Sequence, residues 1–183
     1  GSRLSEAHRM KISKAQIGKK LSEQTKLKIS KAIVQYSLDK EKMGFTKEDM
    51  LNYEIEYDNK KYLTASCFLG TYHTVVYMET VSFGIYPDLG KRILNDEAFK
   101  YQTNVDFVEV LSRKELKLNT YERGVGFTYA CGTGASSAFV ISHLKGICDN
   151  PVKVILPYGE LIISEENKNI YMQGPATFVG IIN

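Results

Sequence analysis

The residues of this 183-residue chain best suited to chemistry are Cys131-Gly132-Thr133-Gly134, a thiol followed by two glycines around a threonine. The run after it, Ala135 to Lys145, is helix-permissive and stops at Gly146, a residue type that commonly follows a helix end. Cys131 is therefore expected at a helix N-terminus, where unpaired amide N–H groups and the positive end of the dipole gather. Such a setting is expected to lower the thiol's pKa and make it a base or nucleophile. The same amides suit a substrate carboxylate. The competing reading is a small buried cysteine that caps a structural helix, because free cysteine is among the most buried residue types. The glycines weigh against that reading: they admit a backbone or ligand at close range, and a structural cap would more naturally be Ser, Asp or Asn.

Four further features are expected to converge on Cys131. Glu122 and Arg123 end the strand before it, Thr133 and the amides of Gly132 to Gly134 begin the helix, Asn104 opens a strand, and His73 sits in a strand after Gly70. A thiol, a carboxylate to take its proton, an arginine for a substrate carboxylate and an asparagine for an amine together suit proton abstraction beside a carboxylate. Each has a plainer reading as well. Arg123 pairs with Glu122 or another acid, Asn104 is a turn residue, and His73 is a satisfied, half-buried histidine.

These residues need elements to hold them. The helix after Cys131 carries apolar side chains all round (Ala135, Ala138, Phe139, Val140, Ile141, Leu144), which places it in the middle of a domain. Around it the sequence reads as short strands. Ile33 to Leu38 is one; Tyr53 to Tyr57 and Lys61 to Ala65 form a hairpin about Asp58-Asn59. Cys67 to Met78 is a strand pair or a strand kinked at Gly70. Asn104 to Val110, Leu116 to Glu122, Lys153 to Leu156, Gly159 to Ser164, Ile170 to Gly174 and Ala176 to Ile182 complete the set. A second helix is expected just after Pro87, with Leu89, Ile93 and Leu94 at helical spacing. The fold class that follows is α+β, with a curled, barrel-like mixed sheet around one central buried helix.

Composition is that of an ordinary globular protein, 43% hydrophobic and 25% charged, with no apolar run of membrane-spanning length. The N-terminus lacks the apolar core of a secretory signal. Three cysteines (Cys67, Cys131, Cys148) at no metal-like spacing point to free thiols and a reducing, cytoplasmic setting. The three histidines (His8, His73, His143) are too scattered to suggest a metal site.

Net charge is +3 but uneven: residues 1–32 hold nine Lys/Arg and two acids, whereas residues 33–183 hold fifteen and nineteen. The basic segment is an internal repeat, residues 1–15 matching 18–32 at nine of fifteen positions. Ser5 and Ser22 read as N-caps, with Glu6 and Glu23 in the first turn. Each unit is expected to be a short helix with too few apolar residues for a core and with lysines in register. Arg9, Lys11, Lys14, Lys19, Lys20, Lys26, Lys28 and Lys31 are then candidates for phosphate contacts along DNA. A solvated basic tail, or helices packed on the main domain, are the alternatives. Residues 1–32 are thus expected as a separate arm and 33–183 as the main domain.

Two resemblances sharpen these expectations. The unit Gly-x-x-Leu-Ser-Glu-x-x-Arg/Lys-x-Lys-Ile-Ser-Lys-Ala, present twice, resembles the nuclease-associated modular DNA-binding repeat of homing endonucleases, and implies sequence-tolerant DNA contact. Tyr121-Glu122-Arg123-Gly124-Val125-Gly126 followed by Ala130-Cys131-Gly132-Thr133-Gly134-Ala135 resembles the C-terminal catalytic half of diaminopimelate epimerase and its relatives, with further likeness at Asn104-Val105-Asp106-Phe107 and Gly174-Pro175-Ala176. That family implies cofactor-independent amino-acid racemisation between two similar domains, each giving one cysteine to a shared cleft. By this resemblance Cys131 is the second cysteine. Glu122, Arg123, Asn104, Gly132 and Thr133 contact a substrate such as diaminopimelate or tune the thiol, and His73 lies near the other cysteine. The sequence departs from the family at Gly70-Thr71-Tyr72-His73, where the family has Gly-Asn-Pro-His, and the basic repeats stand where the first half would be. Three readings follow. The domain is a racemase half completed by a second polypeptide, such as another copy in a homodimer; a DNA-associated protein that uses the domain for dimerisation or ligand sensing; or a recombination relic.

Overall fold

The fold is taken from a computed structural model, which describes residues 31–35 (as backbone), 51–99 and 101–175. The proposed repeat helices, the connection from Lys40 to Asp49 and the closing strand from Ala176 lie outside the described residues. So do Arg9, Lys11, Lys14, Lys19, Lys20, Lys26 and Lys28.

Ten strands and two helices are described. In chain order they are β1 (Lys31–Gln35), β2 (Tyr53–Tyr57), β3 (Lys60–Phe68), β4 (Tyr72–Tyr77), α1 (Pro87–Leu94), β5 (Asn104–Ser112), β6 (Glu115–Glu122), β7 (Gly126–Thr128), α2 (Gly132–Leu144), β8 (Val152–Leu156), β9 (Gly159–Glu166) and β10 (Asn169–Gln173). They make one mixed sheet in the order β1-β10-β9-β8-β6-β5-β4-β3-β2, with β7 added beside β6. The sheet is open, with β1 and β2 at its two ends, so it does not close into the barrel that the sequence suggested. The α+β class stands. The first strand begins at Lys31, which pairs with Gln173, and so starts inside the second basic repeat.

Local sequence explains most of these elements. Asp58 and Asn59 both take positive φ (51° and 56°) in the β2–β3 hairpin, the requirement of a two-residue turn matched to strand twist. The expected strand from Cys67 to Met78 is a pair, β3 and β4, that turns at Gly70. Helix α1 starts at Pro87 and buries Leu89, Ile93 and Leu94 along one stripe.

Two connections are long because they join parallel neighbours. The β4-to-β5 crossing contains α1, and the β6-to-β8 crossing contains α2. The helices serve opposite faces of the sheet. Val76, Val105 and Phe107 pack with Ile93 and Leu89 of α1. Val75, Val108, Leu116 and Leu118 pack with Ala138, Phe139 and Ile141 of α2. Helix α2 touches β3, β4, β5, β6, β8, β9 and β10. It ends as the sequence predicts: Gly146, at φ 68°, sends its N–H to His143 O (2.9 Å), and Ile147 sends its own to Ser142 O (2.8 Å), a Schellman pair.

Candidate active site

Strand period and register bring the site together. Side chains two apart on a strand share a face, so Asn104, Asp106 and Val108 of β5 all look towards α2. On β6, Glu122, Thr120 and Leu118 do the same, with Asp106 directly opposite Thr120. On β4, His73 lies beside Asn104. This face is apolar under the body of α2 and polar under its first turn.

Strand β6 uses its second edge twice. Its start pairs with β8 and its end with β7. Strand β7, too short and glycine-bounded to be read from the sequence, turns the chain back from Glu122 and delivers it to Cys131. The Thr128 hydroxyl donates to Glu122 Oε1 across this hairpin.

Cys131 is the N-cap of α2, in extended backbone (φ −135°, ψ 106°) and half-buried. Its Sγ accepts from the Gly134 N–H at 3.3 Å, as a serine or aspartate cap would. The Thr133 hydroxyl lies 3.4 Å from the sulfur. The amides of Gly132 and Thr133 precede the first helical hydrogen bond, from Ala135 N–H to Cys131 O (2.9 Å).

Burial pushes the Cys131 thiol up to about 11, and the nearby Asp106 and Glu122 charges act in the same direction. Hydrogen bonds from Thr133 and Gly134 oppose the rise without overcoming it. The expectation of a lowered thiol pKa is therefore corrected: the cap donors are present, but desolvation and two carboxylates outweigh them. The other two thiols sit in the core, and burial raises Cys67 to about 12 and Cys148 to about 11.

His73 is fully buried rather than half-buried, and both ring nitrogens are engaged within the chain. Its Nδ1 is 2.8 Å from Asp106 Oδ2 and its Nε2 is 3.0 Å from Thr133 Oγ1. Asp106, also fully buried, accepts a second bond on Oδ1 from the Thr120 hydroxyl at 2.8 Å. Neither Asp106 nor Thr120 is a site residue in the sequence reading. The available signal was an acid on the inward face of an otherwise apolar strand, which needs a buried partner.

The remaining predicted residues line the rim. Asn104, half-buried, places Nδ2 3.4 Å from both Thr71 Oγ1 and His73 Nε2, and its Oδ1 accepts from the Arg123 N–H at 2.9 Å. It is thus a site residue on a strand, not a turn residue. The Arg123 guanidinium donates to the Tyr101 carbonyl (2.7 Å) and not to Glu122 as the plainer reading supposed. Thr71, at the position of the family's asparagine, is exposed on the same rim. Lys31, counted among the DNA-contacting candidates, lies on β1.

Gly134 shows how tightly the first turn of α2 sits on this cluster. A Cβ there would fall 2.6 Å from both Asp106 Oδ1 and Thr120 Oγ1. Only glycine lets the helix backbone come so near the carboxylate. Among the described residues there is no group of His, Cys, Asp and Glu arranged to hold a metal.

The comparisons with known proteins agree with this arrangement. The diaminopimelate epimerase family model matches residues 66–179, and the NUMOD3 motif matches residues 1–30 and 18–34. The diaminopimelate epimerase of Brachyspira hyodysenteriae is 36% identical over 132 residues, covering 72% of this chain and 47% of that protein. The diaminopimelate epimerase of Rippkaea orientalis is 36% identical over 146 residues, covering 77% and 52%. A probable proline racemase from Agrobacterium radiobacter K84 superposes with a TM-score of 0.49 at 15% identity, covering 70% of this chain and 48% of that one. The chain spans about half the length of the curated relatives it matches. No helix among the described residues is long and apolar enough to cross a membrane. By the extent of the family match and the identity to these relatives, the chain belongs to the diaminopimelate epimerase family.

Proposed function

We propose that residues 33–183 form one half of a cofactor-independent amino-acid epimerase acting on diaminopimelate or a related amino acid in the cytoplasm. Cys131 exchanges the α-proton on one face of the substrate, and a second thiol, supplied by another polypeptide such as a second copy of this chain, serves the other face. The observation that carries this reading is the half-buried Cys131 sulfur at the start of α2, beside the unused amides of Gly132 and Thr133. Those amides suit a substrate carboxylate. Asn104, Glu122 and Arg123 at the rim suit its ammonium and carboxylate groups. A sheet curling around α2 is the finer architecture consistent with the seven strands that contact this helix. The test is solvent exchange: incubated in deuterium oxide, the protein is expected to place deuterium at the α-carbon of diaminopimelate, and Cys131→Ala to abolish it. Exchange undiminished in Cys131→Ala, or absent from the unaltered protein with every amino acid tried, removes the reading.

A second reading concerns residues 1–32, and the NUMOD3 match and the excess of basic residues favour it. In this reading they are a DNA-binding arm, and the epimerase-like domain is a dimerisation or ligand-sensing module. Affinity for duplex DNA is expected to fall steeply with salt and to be lost on deleting residues 1–30. Salt-independent binding, or binding that survives the deletion, counts against the arm.

A further inference from the structure

One hydroxyl stands between Cys131 and His73. Thr133 Oγ1 is 3.0 Å from His73 Nε2 and 3.4 Å from Cys131 Sγ. The hydrogen positions follow from the outer partners. Asp106 takes the Thr120 hydroxyl on Oδ1 and faces His73 Nδ1 with Oδ2. Nδ1 therefore carries the proton and donates it, and Nε2 keeps its lone pair. That lone pair faces two donors, the Thr133 hydroxyl and, at 3.4 Å, the Asn104 amide. With its hydrogen directed at Nε2, Thr133 Oγ1 is left to accept from the Cys131 S–H.

We propose that Cys131 loses and regains its proton through the Thr133 hydroxyl to His73, with Asp106 and Thr120 as positioning residues, so that this domain supplies its own acid–base group for its own thiol. The inference rests on Cys131 being the reactive thiol of the reading above. In the forward step the S–H bond breaks as an O–H bond forms at Thr133, and the original hydroxyl proton passes to Nε2. A thiol and a neutral imidazole become a thiolate and an imidazolium, and no other reactant is needed. Afterwards the hydroxyl donates to the thiolate and accepts from Nε2–H. Gly134 N–H still bonds the sulfur, and Asp106 faces the new cation. Glu122 Oε1 is already engaged by the Thr128 hydroxyl. The ionisable groups around this chain are Asp106 from β5, Cys67 from β3, Cys131 from the start of α2, and Glu122 with Arg123 from the end of β6.

The relay has a signature that needs no substrate. The rate of Cys131 alkylation by iodoacetamide, read by peptide mass spectrometry against pH, is expected to rise in two limbs. The lower follows deprotonation of His73, which then accepts the thiol proton; the upper follows direct ionisation of the thiol. Thr133→Val, which keeps the side-chain shape, removes the lower limb and cuts the rate at neutral pH by at least about tenfold. Thr133→Ser restores the limb, and His73→Gln removes it with Thr133 in place. Urea midpoints identify variants that are folded, and Thr133→Val is informative even if His73→Gln is not folded. A single rise in the unaltered protein, a lower limb that survives in folded Thr133→Val, or a Thr133→Ser profile matching that of Thr133→Val overturns the relay. Deuterium exchange into an amino acid is read separately, so loss of the relay and loss of the epimerase reading are distinct results.

Discussion

Helices α1 and α2 cover opposite faces of the same sheet, and they are built differently. Helix α1 is a one-sided cover: Leu89, Ile93 and Leu94 face inward, Asp88, Lys91 and Arg92 face solvent, and Tyr86 at its N-cap makes no side-chain cap bond. Helix α2 is enclosed, so its polar groups must find partners inside. The Ser136 and Ser137 hydroxyls donate to the carbonyls of Gly132 and Thr133 at 3.0 and 2.8 Å, and Ser142 meets the Tyr77 hydroxyl at 2.9 Å. A covering helix needs only its stripe. An enclosed one is fixed by hydrogen bonds and close packing along its length, which is what allows its first turn to hold a thiol in one place.

The sharpest test of this contrast is in the core. Phe139→Ala in α2 removes a fully buried ring and is expected to cost about 3–5 kcal/mol, whereas Leu94→Ala at the partly open end of α1 should cost nearer about 2 kcal/mol. Urea denaturation of the two variants decides, and equal losses would erase the distinction. Next come the two glycines of the first turn. Gly134→Ala drives a methyl into Asp106 and Thr120 and is expected to cost about 1–3 kcal/mol. Gly132→Ala meets only the flexible end of Met172 and should cost less than about 1 kcal/mol, because a methionine side chain re-packs readily. If Gly132→Ala proves the more damaging, the helix is not seated on the carboxylate as described.

The smallest effect lies at the end of α1. Burial pushes the Asp96 carboxyl up, but hydrogen bonds from the Ala98 amide, Arg92 and Tyr53 together hold it below its ordinary value. A carboxyl depressed in the folded state stabilises the fold above its unfolded pKa, and the contribution fades as pH falls through the folded one. Asp96→Asn is therefore expected to flatten the loss of stability on acidification. An unchanged acid limb would show that this cluster does not anchor α1.

The part of this architecture written in short-range pattern was legible in the sequence. The hairpin about Asp58-Asn59, the start of α1 at Pro87 and the end of α2 at Gly146 each depend on backbone preferences of one or two residues. Cys131 was legible from its glycines. The effect of its surroundings was not, because whether cap donors or desolvation prevail depends on how closely β5 and β6 approach. Asp106 went unread for the same reason: its role exists only once register sets it opposite Thr120 and next to His73. Strand β7, three residues long, carries no period to detect. Arg123 was expected to meet an acid, but the turn after Glu122 carries its guanidinium to the Tyr101 carbonyl.

The pairing of β1 with β10 has a consequence for synthesis. Val34 lies opposite Ile170, so an early strand takes a partner made near the end of translation. Until residues 169–173 leave the ribosome, β1 has no edge to join, and β9 exposes the edge that β10 will cover. Most of the domain's other neighbours, among them β2 with β3 and β8 with β9, are made close together and can pair as they emerge. The last event of folding on the ribosome is then the seating of β10 between β9 and β1, which joins the segment carrying the basic repeats to the sheet.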